Sequence, residues 1–210
     1  GIAHRTSPTN IGLYLSSVLT ARDFGYITTR QLVTRIEQTL NTLEGLPRWR
    51  GHFYNWYDTV SLQPLLPLYV STVDSGNLLV YLLTVKEGLK EWLRQPWTKA
   101  LGQGLVDTAR WEEQEQKAEA SWCQLFAPFV AGEPTLLTWY RLLQKAKTEM
   151  DAGEQDIFRQ CAAAITHQLE EMEWFFPWLP PLAAEDGPGG RQASAEEFNI
   201  KQELALIKDF

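Results

Sequence analysis

Three short segments carry polar residue types able to bind a ligand or position an acid: Arg5-Thr6-Ser7-Pro8-Thr9-Asn10, Gly51 to Thr59 (GHFYNWYDT) and Tyr69 to Asn77 (YVSTVDSGN). Each sets hydroxyls, amides or carboxylates beside the start of an apolar helix or inside an aromatic run. Groups at such places can hold hydroxyls or position an acid. Asp58 and Asp74 are the carboxylates within them. The bland readings stand beside these. Thr6 to Asn10 and Asp74-Ser75-Gly76-Asn77 also suit plain turns and helix caps, and Tyr54, Trp56 and Tyr57 also suit a core.

Other chemistries find less support. The three histidines, His4, His52 and His167, do not sit at metal-ligand spacing with cysteines or carboxylates, so no metal is expected, and no phosphate loop, nucleophile elbow or dinucleotide fingerprint calls for a cofactor. The run Glu112-Glu113-Gln114-Glu115-Gln116-Lys117 reads as the solvated face of a helix. A net charge of −7 argues against nucleic acid as partner. Cys123 and Cys161 are two thiols in 210 residues, too few for a disulfide framework or a Cys-rich zinc site.

With 44% hydrophobic and 21% charged residues the chain has a globular composition, and nine Trp, seven Tyr and nine Phe make it aromatic-rich. No stretch approaches the roughly 20 apolar residues of a membrane helix, so the chain as given is expected to be soluble, with no insertion into a membrane. It opens on a motif-like segment without Met or leader, as expected of a piece of a longer polypeptide.

The elements that must position these segments are helices. Ile11, Tyr14, Leu15, Val18 and Leu19 mark a helix over 10–23, capped from the Thr-Asn pair and ending at Gly25. Leu32, Ile36, Leu40 and Leu43 mark a second, from Thr28 to Gly45. Residues 46–74 crowd Trp, Tyr, Phe, Pro and Gly without helical period; they are too aromatic for disorder, and 53–60 suits a short strand with a turn. Asp74 or Ser75 is expected to cap a third helix with Leu78, Leu82, Val85 and Leu89 on one stripe, widened by Leu79 and Leu83 towards burial on more than one side.

Further helices are expected over 106–126, 135–150 and 155–176, the last closed by Pro177, Pro180 and Pro181. Residues 183–193, with GPGG, read as a flexible linker, and 194–210 as a final helix capped by Ser194 with Glu197 completing a capping box. The fold class is all-α, with about seven helices and one helical unit over 1–182.

RTSPTNIGL (Arg5 to Leu13), RGHFYNWYDT (Arg50 to Thr59) and YVSTVDSGNL (Tyr69 to Leu78) together resemble cyclic β-1,2-glucan synthases, at the start of their glycoamylase-like middle domain. The likeness is strong over residues 1–90. It implies part of an (α/α)6 barrel, an α/α-toroid, acting on β-1,2-glucan by cleaving and rejoining chains so that a ring closes; the long aromatic loop, from its own residues, suits a short hairpin. The resemblance implies a β-1,2-glucan or related oligosaccharide and the other domains of the same large polypeptide as partners, at the cytoplasmic face of the bacterial inner membrane through the parent protein.

Carried over position by position, it assigns Arg5, Thr6, Ser7 and Asn10, then Tyr54, Asn55, Trp56, Tyr57 and Asp58, then Asp74, Ser75 and Asn77 to a sugar-binding rim. The family's later Ser-Glu-Ala-Arg segment does not occur here, so the resemblance implies that the catalytic Glu lies elsewhere and leaves Asp58 and Asp74 as the candidate carboxylates of these motifs. The chain is then the first half of a barrel or an adjacent subdomain. The alternatives are a non-catalytic glucan-binding or structural module between catalytic domains, and a helical protein-interaction domain.

Overall fold

The computed structural model describes residues 3–94, 97–116, 122–132, 134–152 and 158–185. Eight helices and four two-residue strands lie among them: α1 (Pro8–Asp23), α2 (Thr29–Gly45), α3 (Thr72–Trp92), α4 (Trp97–Gln116), α5 (Trp122–Ala131), α6 (Leu136–Asp151), α7 (Arg159–Phe175) and α8 (Leu179–Glu185), with β1 (Arg5–Thr6), β2 (Arg48–Trp49), β3 (His52–Phe53) and β4 (Tyr57–Asp58). The fold is all-α. The final helix expected over 194–210 and most of the 183–193 linker lie outside the described residues.

Ser7, extended and followed by Pro8 in the first turn, caps α1 by accepting from the Asn10 N–H at 3.3 Å. The cap is therefore Ser7 and not the Thr-Asn pair. Leu15, Val18 and Leu19 of α1 meet Leu32 and Ile36 of α2 and Val85 of α3 in one core cluster, while Leu43, Leu46 and Tyr57 form a second beside it. Leu40 of the expected α2 stripe is 38% exposed.

Helices α1 and α3 run side by side in the same direction. Thr9 bonds Asp74 and Asn77 at their starts, a Cβ on Gly12 would collide with the Tyr81 ring, and one on Gly88 with Leu19. Glycine at 12 is what allows this close approach. Because α3 packs chiefly against α1, its other flank stays open: Val73, Leu79, Val80 and Leu83 are exposed, against the expected burial of Leu79 and Leu83.

The aromatic segment is ordered by backbone pairing. β2 and β3 form a hairpin in register Arg48 to Phe53, turning through Arg50 and Gly51 at φ 49° and 86°, the conformation a two-residue hairpin loop demands. Within the segment β4 makes an isolated antiparallel bridge, Tyr57 to Pro64. It pairs antiparallel with β1, Thr6 opposite Tyr57, so the first motif and the second are stitched together.

Helices α4 to α8 share a separate core around Phe126, Trp139, Leu143, Phe158, Ile165 and Met172. The single helix expected over 106–126 is two, α4 and α5. Pro180 and Pro181 do not close α7; they sit in the first turn of α8, where a missing N–H is harmless. Nor is Glu112 solvated. It is buried, and its carboxylate accepts from the Gln160 and Cys161 N–H groups at 2.7 and 2.9 Å, supplying the cap that α7 lacks from its own sequence. Helix N–H groups out of water need a partner, and this one comes from a neighbouring helix.

The same device joins the two halves. Glu171 of α7, 1% exposed, accepts from the Thr29 and Arg30 N–H groups at 3.1 and 2.6 Å, while Thr28 and Gln31 close a reciprocal capping box on the same turn. Arg22 is equally buried and donates to Thr29 Oγ1 at 3.1 Å; burial pushes its guanidinium pKa down, opposed by the charges of Glu171 and Asp23. Removing Glu171 strands two N–H groups and a buried cation. Glu171→Ala is expected to lower unfolding free energy by on the order of 3 kcal/mol in urea titration, and exposed Glu170→Ala by less than about 0.5 kcal/mol.

Candidate functional site

The rim where α1 and α3 begin gathers polar side chains from all three motifs. Asp74 is third in α3, whose N-cap is Ser71: the Ser71 hydroxyl accepts from the Asp74 N–H at 3.1 Å. The cap is thus neither Asp74 nor Ser75, and Ser75 spends its hydroxyl on the Ser71 carbonyl at 2.9 Å. Freed from capping, the Asp74 carboxylate faces the other segments. Its Oδ1 accepts from Thr9 Oγ1 at 2.6 Å, and Thr9 Oγ1 in turn accepts from Asn77 Nδ2 at 3.1 Å.

Asn55 completes the cluster from the aromatic segment. With its amide turned so that every neighbour is satisfied, Nδ2 donates to Asp74 Oδ2 at 2.8 Å, while Oδ1 accepts from Trp56 Nε1 at 2.6 Å and from the Tyr69 hydroxyl. Asn55 is buried, and its N–H donates to the Tyr69 carbonyl at 2.9 Å. The Arg5 guanidinium lies over the Trp56 ring at 4.8 Å, a cation–π contact. Ser7, Asn55, Trp56, Asp74 and Asn77 are thereby brought together, with Arg5 at their edge.

Other motif residues serve elsewhere. Tyr57 is 1% exposed, its hydroxyl donating to the Pro47 carbonyl at 2.7 Å and accepting from the Tyr54 N–H at 2.8 Å; it belongs to the core. Tyr54 is half-buried with its ring edge-on to Tyr57. Asn10 is exposed, and its backbone N–H is the group that Ser7 caps. Asp58 stabilises a turn: its Oδ1 accepts from the Val60 and Ser61 N–H groups at 2.9 and 2.7 Å and from Ser61 Oγ at 3.0 Å. A cleft of about 280 Å³ opens beside it, lined by Thr6, Tyr14, Arg35, Gln38, Tyr57 and Asp58 among others, and neither Asn55 nor Asp74 reaches it.

Thr9, Tyr69 and Ser71 lie within the singled-out segments but were not among the residues assigned to the rim. Ser71-x-x-Asp74 is a capping-box spacing, which is the signal that finds Ser71. Thr9 and Tyr69 come in only through contacts distant in sequence.

Both candidate carboxyls are tuned as acceptors. Hydrogen bonds from the Ser61 and Val60 N–H groups and the Ser61 hydroxyl hold Asp58 below the usual carboxylate range. At Asp74, desolvation pushes the pKa up, but hydrogen bonding from Ser71, Thr9 and Ser7 outweighs it and the net shift is down. At neutral pH both are ionised, the form that accepts a proton or hydroxyl hydrogen bonds and does not donate a proton.

A folded-state pKa below the unfolded value adds stability that is present at neutral pH and lost as pH falls through the folded value. The thermal midpoints of the wild type and Asp74→Asn are therefore expected to differ at neutral pH and to converge as pH falls below the ordinary aspartate value of about 3.9 towards the lower folded one. A gap independent of pH across that window contradicts the assignment.

Among the described residues no group of three or more His, Cys, Asp or Glu side chains is placed to hold a metal ion, and no helix is long and apolar enough to cross a membrane. What the rim offers is an ionised carboxylate, two amides and hydroxyls in fixed geometry beside aromatic rings, a set suited to a neutral polyol.

No family model matches the chain. Over 110 residues, 51% of its length, it is 48% identical to the cyclic beta-(1,2)-glucan synthase NdvB of Rhizobium meliloti (strain 1021), and the match spans 4% of that much longer protein.

Proposed function

We propose, starting from a chain that over its 110 matched residues belongs to the cyclic β-(1,2)-glucan synthase family, that it forms one wall of a site holding a β-1,2-linked glucan, with the cleaving carboxyl pair completed by other parts of a longer polypeptide. The observation that carries this is the Asp74 cluster, in which Thr9 and Asn55 donate to one carboxylate and Asn77 donates to Thr9 at the start of two parallel helices. Sugar hydroxyls are both donors and acceptors, and a fixed mixed array of this kind recognises them without a net charge on the ligand.

The carboxyl states favour a binding role over a general acid. Glycosidic bond cleavage needs a carboxylic acid still protonated at working pH. Asp58 and Asp74 are both shifted the opposite way, and Asp58 is committed to its turn. Parallel α1 and α3 with convergent starts suit neighbouring inner helices of an α/α-toroid, whose substrate would lie across that rim.

The exposed apolar residues of α3, Val73, Leu79, Val80 and Leu83, favour a second, structural role besides: packing against further helices of the same polypeptide, because the relative is many times longer than the matched segment.

Calorimetric titration of the 210-residue chain with linear β-1,2-gluco-oligosaccharides, against β-1,3-linked controls, tests the reading. Saturable heat with the β-1,2 series alone, and no new products on chromatography, is the expected result. Products would place acid and base within the chain, and no heat from either series would leave only the structural module.

A further inference from the structure

Resting on that glucan-binding reading, we infer that Tyr69 is the residue against which a sugar ring of the ligand stacks. The aromatic run points first to Tyr54, Trp56 and Tyr57, but each is engaged. Tyr57 is core, Tyr54 is half-buried edge-on to it at 6.4 Å between ring centres, and the Trp56 ring is covered on one face by Arg5 at 4.8 Å.

Tyr69 is 49% exposed. An exposed aromatic ring is by itself ordinary; what distinguishes this one is how firmly it is held. Its carbonyl accepts from the Asn55 N–H at 2.9 Å, and its hydroxyl meets the Asn55 side-chain amide. One buried residue grips Tyr69 at both ends, and that residue is bonded to Asp74.

The ring is therefore fixed in place two hydrogen bonds from the carboxylate at the centre of the rim. The C–H face of a pyranose is apolar and matches the flat ring, while the ring's loss of freedom is met in the folded protein before the ligand arrives. Asp74 and Asn77 beside it can then take the hydroxyls at the edge of the same sugar.

Calorimetric titration with linear β-1,2-gluco-oligosaccharides of the wild-type chain, Tyr69→Ala and Tyr69→Phe tests this. Stacking predicts affinity about ten-fold weaker for Tyr69→Ala and within about two-fold of wild type for Tyr69→Phe, which keeps the ring. Equal losses in both variants would assign the effect to the hydroxyl anchor and overturn stacking, as would no loss in either. If Tyr69→Ala fails to fold, Tyr69→Gln, which keeps the bulk without the ring, takes its place. Wild type that binds no glucan overturns the glucan-binding reading and this inference with it, whereas wild type that binds with unchanged variants overturns this inference alone.

Discussion

The arrangement of the rim depends on one carboxylate. Asp74 takes hydrogen bonds from Thr9 at the start of α1 and from Asn55 in the aromatic segment, and it sits in the first turn of α3. Three stretches distant in sequence are thereby fixed to one another. Near the positive end of a helix an anion is favoured, and its partners repay its partial desolvation. The β1 to β4 pairing brings the first and second motifs into register, but it is Asp74 that sets their side chains against α3. Asn55 in turn holds both Tyr69 and Trp56, and Arg5 lies over the Trp56 ring.

The other half of the chain uses the same chemistry for a different end. Glu112 and Glu171 are buried, and each bonds the first-turn N–H groups of a helix other than its own. A carboxylate can leave water when it meets two or more N–H donors at a helix start. Part of the acidic excess of this chain is thus internal, and the net charge of −7 overstates how acidic its surface is. Because Glu171 comes from α7 and its donors from α2, the core of α1 to α3 and the core of α4 to α8 are locked where an unpaired charge would be most destabilising.

The helices nearest the rim were legible because their signals are local. The stripe Leu15, Val18 and Leu19 and the helix start at Thr28 lie within single elements, and both are as the sequence suggests. The aromatic segment was legible as ordered but not as to where it pairs, since Arg5 and Thr6 meet Tyr57 and Asp58 across two helices. Alternating aromatics cannot say which side faces in: Tyr57 is core while Tyr69, outside the run, is exposed and anchored. Glu112 misled because a run of charges looks solvated whatever lies across from it. Leu79 and Leu83 misled in the opposite direction, since an apolar stripe states that a surface suits burial and not that a partner is present.

The most direct test of the whole account is a heteronuclear NMR titration of the isotopically labelled 210-residue chain with a linear β-1,2-gluco-oligosaccharide. The account predicts saturable amide shifts in residues 5–10, 55–58 and 69–77, with the amides of α6 and α7 unmoved. Shifts centred on α6 and α7, or on the cleft beside Asp58 and Arg35 with Asp74 and Tyr69 unmoved, would contradict it.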